Sequence, residues 1–316
     1  MVETLPPTLV GGSESPAAPI LRGMGELTYE GLAREIAATN VAMLIGGLDT
    51  GKTTIALEAV GIALSEGRTP VLVDADVGNS TVGPPGCVGM KVFSSETDLA
   101  TVHQPDALQF VGAVNPSRLV LQHVVATAVM VDRAKALGDV VIIDTTAVAS
   151  GVAGETLKYH KTELCRPEKI VALQRGEEME PVVGMLRRFL GVDVVTSPTD
   201  PELTSISPDA RARKRVDGFR DALAEPLERW KVRPTVFAPT LPVGLNLGRL
   251  DGVVVGVQDA GGGCLGLGVL SYEEDMLRVT TNVGEGMTGL RLGSMRLDLD
   301  TFDSTVVNLR EVMFGV

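Results

Sequence analysis

Residues 46–54 read Gly46-Gly47-Leu48-Asp49-Thr50-Gly51-Lys52-Thr53-Thr54, and the chemistry served by a G-x-x-x-x-G-K-[ST] spacing is capture of a nucleoside triphosphate. Glycines at Gly46 and Gly51 let the backbone curl until successive N–H groups face one anion. Lys52 is placed for the β- and γ-phosphates, and the Thr53 hydroxyl for Mg²⁺. A helix opening near Lys52 turns the positive end of its dipole on the same charge.

Carboxylates follow at the right places. The segment Val73-Asp-Ala-Asp-Val-Gly-Asn-Ser-Thr-Val-Gly-Pro-Pro-Gly86 sets two acids at the end of an apolar run. Such acids, beside a phosphate loop, handle Mg²⁺ or take the proton of an attacking hydroxyl; acids at strand ends also simply cap turns. The glycines and prolines behind them make a pre-shaped loop able to hold a substrate against the backbone. A second apolar run, Val140-Val-Ile-Ile-Asp144, ends in an acid expected to partner Mg²⁺ or its water. Thr145 and Thr146 either sense the γ-phosphate or cap the next helix. Arg211 and Arg215 stand four apart, on one helix face, so both are expected to reach a shared phosphate with fork-shaped guanidinium groups. The alternative is a solvated basic face, with Arg213, Lys214 and Arg220 pointing elsewhere. The run Lys158-Tyr159-His160-Lys161 reads as nucleic-acid contact or as a solvated face.

These side chains need a scaffold. From Val41 to Thr196, apolar runs alternate with helical patterns in a βαβ layout. The expected strands are Val41–Ile45, Pro70–Asp74, Leu108–Gly112, Val140–Asp144, Lys169–Leu173 and Val192–Thr196, parallel, with ligands at their C-terminal ends. Helices are expected over Thr28–Ile36, from Lys52 to Leu64, and over Arg118–Leu137, Glu155–Glu163, Met179–Phe189 and Pro208–Ala224. After Trp230, expected to pack the linker against a domain, prolines at 234, 239 and 242 lead into a Gly-rich stretch of β character. The fold class is therefore α/β, a phosphate-loop core with a mostly parallel sheet flanked by helices, plus a small C-terminal antiparallel β domain. The expected division is a flexible tail over 1–24, a phosphate-loop domain over 25–230, and a β domain over 235–316.

Composition narrows the function. A net charge of −12 disfavours promiscuous binding to nucleic acid or membrane surfaces, which needs a positive field, though it permits a local basic patch. No apolar stretch approaches the roughly 20 residues of a membrane span, and no basic region precedes an apolar run at the N-terminus. Three cysteines (Cys87, Cys165, Cys264) and three histidines (His103, His123, His160) offer neither zinc spacing nor a disulfide framework, so a reducing cytoplasm is the expected location. His103 is assigned no role.

Taken together, Gly46–Thr54, Asp74–Gly86, Val111-Gly-Ala-Val-Asn-Pro116, Ile143-Asp-Thr-Thr146, the Arg211–Arg220 cluster and Gly289-Leu-Arg-Leu-Gly-Ser-Met-Arg-Leu297 give a chain that resembles the P-loop polynucleotide (polyribonucleotide) 5′-hydroxyl kinases of the mRNA cleavage-factor and rRNA-processing type. The resemblance runs from about residue 25 to the end and implies transfer of the ATP γ-phosphate to the 5′-hydroxyl of RNA or DNA. It implies ATP (GTP is not distinguished) and Mg²⁺ on Gly46, Gly47, Leu48, Asp49, Thr50, Gly51, Lys52, Thr53 and Thr54. Asp76 matches the family aspartate that orients or deprotonates the 5′-hydroxyl, with Arg211 and Arg215 as a lid. Metal contacts fall to Thr53, Asp76 and Asp144, and acceptor contacts to Asn79, Pro85, Gly86, Asn115 and Thr146. Three departures stand out. Ala147 and Val148 replace a glycine and a base-stacking aromatic, Asn79 replaces glutamine, and Val114-Asn115 replaces a hydroxyl-rich pair. They leave open a short or single-nucleotide acceptor. No counterpart of the large N-terminal β domain of eukaryotic relatives is expected, as in a minimal version of the family. Two other readings fit the same residues: a nucleotide-binding scaffold or switch without transfer activity, and a kinase of a small hydroxylated acceptor.

Overall fold

The computed structural model describes residues 28–314, so the tail expected over 1–24 lies outside the described residues. Its strands are β1 (Val41–Gly46), β2 (Pro70–Ala75), β3 (Cys87–Val92), β4 (Ala107–Phe110), β5 (Val140–Thr145), β6 (Lys169–Gln174), β7 (Asp193–Pro198), β8 (Glu228–Lys231), β9 (Val253–Gln258), β10 (Cys264–Glu273), β11 (Met276–Thr281), β12 (Gly289–Leu297) and β13 (Ser304–Val306). The helices are α1 (Tyr29–Ala37), α2 (Lys52–Ser65), α3 (Val120–Lys135), α4 (Gly151–Cys165), α5 (Glu180–Leu190), α6 (Pro208–Ala222) and α7 (Leu309–Phe314).

Five strands in the order β2-β5-β1-β6-β7 run parallel and carry the site at one end. Their apolar runs are continuous because both faces are covered. Alternate residues divide between two cores. Met43, Ile45, Val73 and Ile143 face α3 and α5, through Met130, Val131 and Leu186. Ala42, Leu44, Leu72 and Ile142 face α1 and α2, through Leu32, Ile36, Ile55 and Ala59. The result is a three-layer α/β fold, as the alternation predicts.

β4, expected as a parallel strand, is instead antiparallel, lying between β3 and β10. The chain reaches it through β3, which Gly89 and Lys91 hide from an apolar-run reading. An antiparallel partner needs no crossover helix, and the connection over 93–106 holds only a 3₁₀ turn, Glu96–Thr101.

The C-terminal strands are antiparallel, and β10 joins them to β4 through the Cys264–Leu108 pair, so one sheet continues across the molecule. The seam has its own core, in which Cys87, Leu108 and Phe110 meet Val254, Leu267 and Met295, with Phe219 and Leu223 of α6 packed among them. Glycine is required at 256, since a Cβ there would lie 2.4 Å from the Phe110 ring. Trp230 sits in β8, opposite Val279, with its indole over Gly284.

Candidate functional site

β1 ends at Gly46 and α2 begins at Lys52, so the loop between them hangs on a buried strand and a helix start. Gly51, with φ of 85°, provides the left-handed turn that starts α2. Lys52 is 7% exposed, and its Nζ donates to Gly47 O at 2.7 Å. Burial pushes this ammonium down, against the pull of Asp144, Asp76 and Asp49. Two side chains clamp the loop from outside through its carbonyls. Arg175 donates to Leu48 O at 2.7 Å and Asp49 O at 2.6 Å. Tyr29 donates to Thr50 O at 3.3 Å while accepting from Asp200 N at 2.7 Å.

The strand-end acids divide the work. Asp144, at the end of β5, accepts from the Thr53 hydroxyl through Oδ2 at 2.5 Å, and its Oδ1 is enclosed with no partner. Asp74 builds the neighbouring loop. Its Oδ1 takes Asp76 N at 2.9 Å, and its Oδ2 takes Val82 N at 2.9 Å together with Thr81 N. Asp76 accepts from Gly78 N at 3.1 Å and Asn79 N at 3.2 Å, both on Oδ1. Burial raises the Asp74 carboxyl to about 7, with Asp144 and Asp76 adding to the shift. Burial likewise raises Asp144, although Lys52 and the Thr53 hydroxyl oppose it.

Beneath these acids lie two buried lysines, where the sequence predicts a solvated or nucleic-acid-facing run. Lys158 Nζ donates to Thr145 Oγ1 and Thr146 O, each at 2.6 Å. Lys161 Nζ lies 2.8 Å from His123 Nε2, which in turn lies 2.8 Å from Ala75 O. Desolvation lowers both amines, Lys161 to about 7. The signal was present in the spacing, because Lys158 and Lys161 share one face of α4 with Gly154, Leu157 and Cys165.

Helix α6 roofs the site. Ser207 caps it by accepting from Ala210 N at 3.2 Å, with Pro208 in the first turn. Arg211 reaches the phosphate loop and pairs with Asp49. A cavity of about 310 Å³ results, lined by Lys52, Thr53, Asp76, Asn79, Ala147 and Arg211, among others. Arg215 faces a neighbouring groove and is not among the residues lining this cavity, whereas Lys214, expected to point elsewhere, lines both. Lys214 Nζ also donates to Asn79 O at 3.0 Å. Pro85 packs on Gly218 of α6, and Gly86 ties the loop to Val77 O through its N–H. Asn115 is exposed and caps its own turn through Ser117 N. Thr146 is buried, with its Oγ1 unpartnered. Sequence reasoning missed Arg175, Tyr29 and the clamping role of Asp74, because each acts on backbone atoms that carry no sequence signature.

Residues 46–221 match the family model described as the mRNA cleavage and polyadenylation factor CLP1 P-loop. The chain belongs to this CLP1 P-loop family. Similar proteins include a polyribonucleotide 5′-hydroxyl-kinase of Thermococcus kodakarensis, 28% identical, with 84% of this chain and 91% of that one aligned. The like-named protein of Pyrococcus furiosus is 24% identical over 86% of each chain. That of Pyrococcus horikoshii is 36% identical over a shorter stretch, 45% of this chain and 39% of the relative. Among solved structures, Clp1p in complexes with Pcf11p shares the fold, with TM-scores of 0.65 and 0.61 at 15% and 14% identity; the 0.65 match covers 84% of this chain and 78% of that one. No helix among the described residues is long and apolar enough to cross a membrane.

Proposed function

We propose that this protein transfers the γ-phosphate of ATP to the 5′-hydroxyl of a polynucleotide. One observation carries the reading: Lys52 and Thr53 at the start of α2, Asp76 after β2 and Arg211 on α6, from three separate segments, line a single cavity. The archaeal relatives named as polyribonucleotide 5′-hydroxyl-kinases support it.

In this reading the loop N–H groups and Lys52 bind the triphosphate, and Arg211 exchanges Asp49 for the phosphoryl group in transit. Asp76 accepts the proton of the attacking 5′-hydroxyl; two loop N–H bonds hold its Oδ1, leaving the second oxygen without a hydrogen bond among the described residues. Lys158 and Asp74 set the strand end and the loop on which these groups ride. An all-oxygen set beside an enclosed, unpartnered Asp144 Oδ1 fits Mg²⁺, which keeps most of its water and takes few protein ligands. Thr53 and Asp144 would hold it, and when bound it neutralises charge on the phosphates. Of the residues expected to contact the acceptor, Asn79 lines the cavity beside Asp76 and Pro85 lines the adjoining groove, whereas Gly86, Asn115 and Thr146 line neither.

The test is detection of phosphate transfer from ATP, and from GTP in parallel, to 5′-hydroxyl RNA and DNA oligonucleotides by mass spectrometry. Lys52→Ala should remove transfer. Asp76→Asn should lower turnover at least about 100-fold while nucleotide still binds. Nucleotide binding without transfer to any acceptor overturns the reading in favour of a switch protein, and transfer to small alcohols alone redirects it to a metabolite kinase. Full activity of Asp76→Asn removes Asp76 as the base.

A further inference from the structure

Beside the phosphate-loop cavity lies a larger groove of about 830 Å³, and the two share Asn79, Thr81 and Lys214 in their walls. One wall is the turn from Gly78 to Pro85, and another is α6 from Lys214 to Ala222. The third comes from the C-terminal strands, through Leu265, Gly266, Asn282 and Val283. That third wall is fixed to the roof, since Asn282 Nδ2 donates to Ala222 O and Ala224 O, each at 3.1 Å.

Chemistry changes along the groove. At the junction, Lys214 and Arg215 supply positive charge, with Asn79 beside them. The Asn79 Oδ1 is enclosed and has no partner; a buried amide oxygen calls for a donor, such as a sugar hydroxyl or a base amine. Farther along, Pro84, Pro105, Leu108, Leu265 and Val283 make the surface apolar. Asp217 and Asp221 follow Arg215 by two and six residues on α6, and Asp217 pairs with Arg220 at 2.7 Å. An acceptor whose first internucleotide phosphate meets Lys214 and Arg215 while its bases lie on the apolar stretch suits this arrangement, and among the lining residues His103 carries the one aromatic ring that offers a base a stacking surface.

We infer that this groove holds the acceptor nucleotides that follow the phosphorylated end, with the C-terminal strands as its outer wall. The inference rests on the kinase reading above. The volume is that of a small-molecule site and accommodates about two nucleotides. Acceptor length is therefore sensed by a part of the fold that contributes nothing to the phosphate loop.

The test is a length series of 5′-hydroxyl acceptors, from a nucleoside 3′-phosphate to a hexanucleotide, with KM measured at saturating ATP. In the wild type, KM falls about fivefold or more up to roughly the trinucleotide and then levels off. Leu265 is 36% exposed, so its replacement leaves the core intact. L265E raises, and L265K lowers, the ratio of trinucleotide KM to nucleoside 3′-phosphate KM by about threefold, and added salt shrinks both changes. A KM independent of length, or a ratio unmoved by both variants, overturns the groove while leaving the kinase reading in place. Absence of transfer to every acceptor by the wild type overturns the kinase reading itself, and this inference with it.

Discussion

Arg211 is the residue whose state has most to change. It pairs with Asp49, and both side chains are largely enclosed, at 14% and 11% exposed. A guanidinium that swaps one anion for another costs little to redeploy when the phosphates arrive. We expect Arg211→Ala to lower turnover about tenfold or more while the ATP KM moves less than threefold, measured with a saturating oligonucleotide. Equal losses in both would make it a ground-state binder. At this scale the sequence made legible the side chains that line the cavity together, Lys52, Thr53 and Asp76. Arg175 and Tyr29 were not, since a carbonyl can be gripped by any donor from any point of the chain.

At the scale of elements, α4 departs furthest from its sequence reading. Its lysines reach into the sheet because the Leu157 and Cys165 face to which they belong is the packed one. Lys161 has an ordinary value of 10.5 and is lowered by burial to about 7. The unfolded chain therefore binds an extra proton between those values, and stability falls as pH drops through that window and returns as pH rises. We expect Lys161→Met to gain thermal stability relative to wild type near pH 7, and the gap to narrow steadily as pH rises toward 10.5 in scanning calorimetry. A gap that widens with pH would show that the amine is charged in the fold. Charge run and buried network look alike in one dimension; only the 3.6-residue period separates them. The same limit hid β3, whose glycine and lysine mask a strand paired on both sides by β2 and β4. Continuous apolar runs made the parallel strands plain.

Across the whole molecule, the sheet couples the phosphate-loop half to the C-terminal half through one narrow seam. Phe110 is its centre, lodged against Gly256 and Gly293 where any side chain would collide. Gly256→Val should cost about 1–3 kcal/mol by overpacking, seen as a fall of roughly 2–8 °C in melting midpoint for a chain of this size. If β9 and β10 were a loosely hung appendage, the main transition would not move. Sequence reading found the antiparallel character of this half, but not its attachment. Long-range pairing such as Cys264 with Leu108 leaves no local trace.

The buried acids and amines under the site carry one more consequence. Asp74, Asp144, Lys158 and Lys161 are each no more than 2% exposed, a cluster that an apolar set of equal volume would stabilise. A mutant library screened only for survival of heating should enrich leucine and methionine at 158 and 161, and the survivors should be slow enzymes. Thermal tolerance and throughput would then trade against each other at these few positions, while the exposed flank of α3 remained free to vary.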